Sequence, residues 1–124
     1  MPWRIEKNEE LGFMEIVYTG TITNKDVRDA TAKVLSLTNP DRPNLYLADI
    51  SGARFKLSFM DILNITSQWE EAGRNKRGRV AVIVSEETMK PEDLRFLETA
   101  ARNRGWNLRV FEDRQAAIEW LPRN

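Results

Sequence analysis

The segment 45–61, LYLADISGARFKLSFMD, holds the side chains of this chain that are best placed to bind something. Its apolar run stops at Asp49, and Ser51 and Gly52 then predict a turn before a helix that starts at Ser58. Ligands of open α/β sheets bind at the carboxyl ends of strands, so Asp49 could hold a cation or a donor group. The same carboxylate could equally accept hydrogen bonds from backbone N–H groups around Ser51 and Gly52 and fix the turn.

Ser58 also has two interpretations. It stands three residues before Asp61, which is the spacing of a helix N-cap whose hydroxyl accepts a backbone hydrogen bond worth about 1 kcal/mol. It could instead be a regulatory phosphorylation site, where a dianion would meet the positive end of the helix dipole. Capping explains the residue without any modification and is the favoured interpretation.

Three apolar side chains, Phe55, Phe59 and Met60, surround the corner between the predicted loop and the helix. At about 100° per residue, Met60 points almost opposite the apolar stripe of that helix. Such a corner can fold back onto its own loop, or it can form an exposed patch for a protein partner. The sequence leaves both possibilities open.

Much reaction chemistry is excluded by residue types that the chain lacks. Among 124 residues there is no cysteine and no histidine, which removes thiol nucleophiles, thiolate metal sites, disulfides and the usual general base. No metal-ligand spacing, P-loop, dinucleotide fingerprint or nucleophile elbow occurs. We therefore expect no catalytic residues, no metal and no cofactor, and a protein that is not an enzyme.

Composition predicts one soluble domain. Hydrophobic residues make up 41% and charged residues 31% of the chain, and its length suits a single core. Nineteen basic and nineteen acidic residues give a formal net charge of zero, which argues against nucleic-acid binding. No apolar run approaches the ~20 residues of a membrane span, and no secretory h-region is present, so a cytoplasmic protein is expected.

Hydrophobic periodicity and turn residues predict the element order ββαβαβαβα. The predicted strands are residues 3–7, 13–19, 45–49, 80–84 and 108–111, and the predicted helices are 24–37, 58–73, 91–104 and 114–121. Strands that alternate with helices predict a single-domain α/β fold with a mixed, mainly parallel five-stranded sheet, the first strand antiparallel, and helices on both faces. The apolar run 80–84, VAVIV, suits a central strand.

Four segments in this order resemble the SpoIIAA-like family of the STAS domain superfamily, the fold of anti-sigma factor antagonists. They are FMEIVYTGTIT at 13–23, LADISGARF at 47–55, GRVAVIVS at 78–85 and VFEDRQAAIEWL at 110–121. The second is similar to a STAS strand and loop that reads roughly DLSGVxF. Together the segments span nearly the whole chain, and the resemblance implies a STAS-like domain.

The chain departs from the STAS antagonists at their phosphorylation segment, DSSG. A gapless alignment from Asp49 puts Leu57 on the aspartate, Ser58 on the first serine, Phe59 on the phosphorylatable serine and Met60 on the glycine. The chain therefore has a phenylalanine at the position of the phosphorylatable serine, and a shared fold does not by itself carry over phosphorylation-controlled switching.

Two function classes follow. The leading hypothesis is a non-enzymatic, STAS-like interaction or regulatory module of a bacterial cytoplasm that contacts a protein partner through residues 49–60. The alternative is a small apolar-ligand or lipid-binding domain of the related CRAL-TRIO type. A deep apolar cavity beside the second helix would favour the ligand, and a flat apolar patch would favour the partner. A homodimer is also expected, formed through the corner of Phe55 and Met60 or through the edge of the first hairpin.

Overall fold

Five strands and four helices follow one another in the predicted order in the computed structural model, which describes residues 2–39, 44–55, 58–71 and 78–122. The strands are β1 (Trp3–Asn8), β2 (Phe13–Ile22), β3 (Leu45–Phe55), β4 (Arg79–Ile83) and β5 (Asn107–Phe111). The helices are α1 (Asn24–Ser36), α2 (Phe59–Glu71), α3 (Pro91–Asn103) and α4 (Arg114–Trp120). Gly73, near which the sequence predicts that α2 ends, lies outside the described residues.

The strands form one sheet in the order β1-β2-β3-β4-β5. β1 is antiparallel to β2, whereas β2 to β5 run parallel to one another, which confirms the mixed, mainly parallel sheet. The run 80–84 lies inside the sheet as expected, since β4 is flanked by β3 and β5 and Ala81, Val82 and Ile83 are buried. β3, rather than β4, is the middle strand of the five.

Alternation along the strands divides the core between the two faces of the sheet. On one face Met14, Ile16 and Tyr18 of β2 pack with apolar side chains of α1, α2 and α3. On the other face Phe13 and Leu47 pack with α4. Successive side chains of a strand point to opposite faces, so β2 supplies both cores at once. Helices on both faces were predicted and are confirmed.

Each helix start that has a capping pattern in the sequence shows the expected hydrogen bonds. The Thr23 hydroxyl accepts from Asp26 N at 3.3 Å while the Asp26 carboxylate accepts from Thr23 N at 3.0 Å. Asp113 accepts from Gln115 N at 3.1 Å at the start of α4. These bonds satisfy N–H groups that the helix itself leaves without partners, which explains why local sequence locates the helix starts well.

The predicted turn at Ser51 and Gly52 is wrong, because both residues belong to β3, which runs on to Phe55. The register between β2 and β3 shifts after Val17, and the extended tail of β2 then pairs with residues 52–55. On its other side the tail of β3 is held by the segment before α3, where Phe55 N donates to Thr88 O at 3.0 Å. This segment therefore continues a strand between two neighbours instead of forming a loop.

Candidate functional site

An apolar cavity of about 120 Å³ lies between the sheet and the three helices that cover one of its faces. Strands β2 to β5 form its floor, and α1, α2, α3 and the segment before α3 form its roof. It is lined by Ile16, Tyr18, Val27, Thr31, Val34, Leu35, Tyr46, Ala48, Ile50, Phe55, Ile62, Ile65, Trp69, Val80, Val82, Met89, Leu97, Trp106 and Leu108.

Two aromatic pairs stiffen the walls of this cavity. The rings of Tyr18 and Phe55 meet edge to face with centroids 5.5 Å apart. Trp69 of α2 and Trp106 meet in the same way, also at 5.5 Å. Edge-to-face contacts add to the stabilisation that the burial of such large side chains provides, so these rings form well-packed parts of the cavity wall. Both tryptophans thus serve in packing.

The polar groups at the cavity are neutral. None of its lining residues is charged. Tyr18 is only 7% exposed and belongs to the buried core on this face of the sheet. Burial raises the pKa of the Tyr18 phenol, and the negative charge of Asp26 raises it further. The phenol is therefore an uncharged donor at physiological pH that can serve a ligand acceptor.

A second, polar recess lies on the face of the sheet that carries α4. It is lined by Asp49, Ser51, Ile83, Val84, Ser85, Glu86, Glu112 and Arg114. Its strongest interaction joins Arg114 to Glu15, with Nη1 2.8 Å from Oε2 and Nη2 2.8 Å from Oε1. This paired geometry holds the guanidinium in place, and the hydrogen bonds to Glu15 raise the pKa of Arg114.

Both carboxylate oxygens of Asp49 accept hydrogen bonds from other residues of the protein in this recess. Its Oδ1 accepts from Ser51 N at 3.1 Å and from Ser51 Oγ at 2.6 Å, and its Oδ2 lies 3.4 Å from Arg114 Nη1. The hydrogen bond from the Ser51 N–H to the Asp49 carboxylate, which the sequence predicted as one that fixes a turn, is thus present. It lies within strand β3 and not in a turn. Among the ranges that the structure describes, no three acidic side chains come close enough to hold a metal ion.

The remaining predicted site residues fall in different places. Gly52 is an exposed strand residue with room for a side chain, since an added Cβ would meet nothing nearer than 3.8 Å. Phe55 is half-buried in the cavity wall. Met60, in the first turn of α2, is 63% exposed. The Phe59 side chain lies outside the described part of the chain. Phe55 thus contributes to the cavity wall, whereas Met60 presents an exposed apolar side chain on α2.

Ser58 caps α2 as the favoured interpretation predicted. Its Oγ accepts from Asp61 N at 3.1 Å, and the Asp61 carboxylate accepts from Ser58 N at 2.9 Å. This reciprocal pair is a capping box. The hydroxyl of Ser58 thus has a structural task that needs no phosphate.

Sequence reasoning left an apolar cavity beside the second helix as an open alternative, and it missed the Arg114–Glu15 pair. One signal for the pair was available, since Glu15 is the one charged residue of β2 and its buried position requires a partner. Nothing local identifies that partner, which lies 99 residues further along the chain. Arg79, the first residue of β4, donates from Nη1 to Trp120 O at 2.7 Å and stacks on the Trp120 ring.

Comparison with a solved structure identifies the fold of this chain. An uncharacterized protein of the DUF3478 family with a SpoIIAA-like fold, from Shewanella loihica PV-4, superposes with a TM-score of 0.65 over 96% of this chain and 91% of its own. The two chains share 22% sequence identity. This chain has a SpoIIAA-like fold.

The SpoIIAA-like fold confirms the resemblance that the sequence motifs indicated, together with the predicted order of strands and helices. At this level of identity the similarity concerns the fold, and the chemistry has to come from the site itself. No protein-family model matches the chain, and no curated protein matches it. In the described residues, none of the helices is both long enough and apolar enough to span a bilayer.

Proposed function

We propose that this SpoIIAA-like domain binds a small, uncharged apolar ligand in the cavity between the sheet and helices α1, α2 and α3. The observation that carries the proposal is the cavity itself, which lies beside α2 and has no charged lining residue. The apolar side chains that line such a space gain dispersion contacts when an apolar group fills it, so filling it is favourable.

The volume limits the size of the ligand. A cavity of about 120 Å³ is slightly smaller than the ~150 Å³ apolar cavity that binds benzene in an engineered protein. The ligand, or the part of it that enters, is therefore about as large as a benzene ring or a short alkyl chain. Tyr18 can donate one hydrogen bond to it, which favours an apolar molecule with a single acceptor such as a carbonyl or ether oxygen.

The proposal is one of binding without catalysis, in a bacterial cytoplasm. The cavity lining supplies two phenols, one threonine hydroxyl and two indoles as polar groups, and it offers no carboxylate or amine to act as an acid or base near neutral pH. A neutral phenol beside an apolar space can orient a ligand but has little capacity to take up its proton.

Benzene is a suitable first probe. Saturating benzene should raise the Tm of the wild-type protein, since a ligand that binds only the folded state stabilises it by RT ln(1 + [L]/Kd). Ala48→Leu, which fills the cavity from β3, should abolish the shift. Ala116→Leu on α4, across the sheet, is the matched control and should retain it. An equal shift in all three proteins, or none in the wild type, would contradict the proposal.

A second candidate function, a module that contacts another protein, is favoured by Met60. Its side chain is 63% exposed in the first turn of α2, while Ile62 and Ile65 of the same helix are buried. Methionine adapts readily to partner surfaces. Recovery of a partner from the native host by the wild type and by Met60→Leu, but not by Met60→Glu, would support this function.

A further inference from the structure

The β1 edge of the sheet has a pattern of backbone and side-chain groups that matches its own copy. β1 is the end strand of the sheet, with β2 on its inner side. Thr19 N donates to Pro2 O at 2.9 Å, and Gly12 N donates to Asn8 O at 2.8 Å, so the even-numbered residues direct their backbone groups toward β2. In an antiparallel pair this direction alternates along the strand. The N–H and C=O groups of Trp3, Ile5 and Lys7 consequently point outward.

Only certain registers let two such edges join. Two copies related by a twofold axis pair antiparallel, and outward-pointing residues must face outward-pointing residues. The odd-numbered residues meet when the axis lies at any residue from 3 to 7. An axis at Trp3 or at Lys7 pairs only one outward-pointing residue of the strand with its copy, which leaves Arg4, Ile5 and Glu6 as axis positions. An axis at Arg4 places that residue opposite its own copy, and an axis at Glu6 does the same for the carboxylate. Like charges directly opposite each other destabilise a strand pair, so these two registers are disfavoured.

The register with its axis at Ile5 is complementary. It sets Ile5 against Ile5 of the second copy, and Arg4 against Glu6 in both directions. Arg4 and Glu6 are exposed and already form an ion pair within one strand, with Nε 2.9 Å from Oε1. In the dimer, the Arg4 and Glu6 side chains of the two copies would form a square in which positive and negative charges alternate. On the opposite face Trp3 would meet Lys7, an arrangement suited to a cation–π contact.

The opposite edge of the sheet lacks this pattern. β5 carries one charged residue, Arg109, whose guanidinium stacks on the Phe111 ring at 5.4 Å. An antiparallel copy of this strand could offer that arginine no acidic partner. Zero net charge also leaves no long-range repulsion between two chains.

We propose that the chain forms a twofold dimer through β1, in the register that places Ile5 against its own copy and joins the two sheets into one. About six backbone hydrogen bonds would form along this edge. The surface is separate from the cavity lining, which contains no residue of β1. Dimerisation and ligand binding are thus independent, and either can fail without the other.

Charge-swap variants test both the dimer and its register by sedimentation equilibrium. The wild type should sediment with about twice the 14.4 kDa chain mass. Arg4→Glu alone and Glu6→Arg alone each set like charges opposite each other and should weaken the dimer about tenfold or more. A 1:1 mixture of the two variants restores opposite charges at both positions, so it should form heterodimers. Arg102→Glu, which removes an exposed ion pair with Glu98 on α3, is the matched control and should dimerise like the wild type.

Cysteine pairing gives a second measurement, since the native chain contains no cysteine. In a mixture of Arg4→Cys and Glu6→Cys proteins, the proposed register brings residue 4 of one chain opposite residue 6 of the other, so the mixed disulfide should form fastest. Faster formation of either homodisulfide would overturn the register. A wild type that remains monomeric over the whole concentration range, or a dimer that neither charge swap weakens, would overturn the proposal.

Discussion

The replacement of Arg114 by methionine tests whether the polar recess is a structural element of the fold. Glu15 lies on β2 with its side chain only 11% exposed, and Arg114 of α4 gives it two hydrogen bonds of 2.8 Å. In Arg114→Met the apolar part of the side chain is retained, but the carboxylate loses its partner. A buried charge without compensation is costly because the protein interior cannot replace the water that it gave up.

The expected loss lies between two limits. Breaking a fully buried ion pair costs about 3–5 kcal/mol, whereas an exposed pair contributes about 0–1 kcal/mol. The Arg114 side chain is 46% exposed, so water reaches one partner, and we expect a loss of about 2 kcal/mol in the free energy of unfolding. A domain of this size has a total stability of roughly 6–18 kcal/mol, so the variant should still fold.

Urea unfolding at pH 7, followed by circular dichroism, measures this loss. The double variant Glu15→Gln/Arg114→Met should be about 1 kcal/mol more stable than Arg114→Met, because a neutral amide is less costly to bury than an unpaired carboxylate. Arg102→Met, which breaks the exposed pair with Glu98, is the control and should change stability by less than about 0.5 kcal/mol. Equal stability of Arg114→Met and Arg102→Met would refute the reasoning.

Three further outcomes follow from other parts of the fold. Because burial raises the pKa of Tyr18, only the unfolded state ionises just above pH 10, and stability should fall there by up to about 1.4 kcal/mol per pH unit; Tyr18→Phe should lose this part of the alkaline destabilisation in urea titrations at pH 9 and 11. Ser58→Ala should lower the free energy of unfolding by about 1 kcal/mol while Ser58→Asp leaves it nearly unchanged; a neutral alanine variant and phosphate on the native protein would favour regulation. Val82→Asp places a charge at a site that is 5% exposed, so it should abolish soluble expression, and a folded variant would contradict the burial of β4.

The elements that the sequence located correctly have signals close to them in the chain. The N-cap pairs Thr23–Asp26 and Ser58–Asp61 mark helix starts with hydrogen bonds between residues three apart. Gly12 adopts a φ of +75°, which suits glycine in the turn of the predicted hairpin between β1 and β2. Interactions over such short distances act before the rest of the chain is placed, so local patterns predict them.

The tail of β3 was mispredicted because its conformation depends on distant partners. Asp-Ile-Ser-Gly is a good turn sequence, and a turn there would leave the backbone groups of residues 51–55 to water. The fold supplies instead the tail of β2 on one side and Thr88 on the other, whose hydroxyl donates to Ile50 O at 3.1 Å. Ser85 Oγ donates to Ser51 O at 2.9 Å beside it. Tertiary hydrogen bonds thus override a local turn preference.

The two sites of this SpoIIAA-like domain lie on opposite faces of the same sheet, and β3 contributes to both. Asp49 faces the recess while its neighbours Ala48 and Ile50 face the cavity. Strand alternation separates their side chains, and the backbone of an internal strand is held by a neighbour on each side. A change in one site should therefore leave the other intact.

We expect Arg114→Met to keep the benzene-dependent rise in Tm that is expected for the wild type. The loss of stability that Arg114→Met causes should also be the same, within about 0.5 kcal/mol, whether or not the chain carries Ala48→Leu. Loss of benzene binding in Arg114→Met at a temperature where the variant is fully folded would show that the sheet transmits strain between its faces.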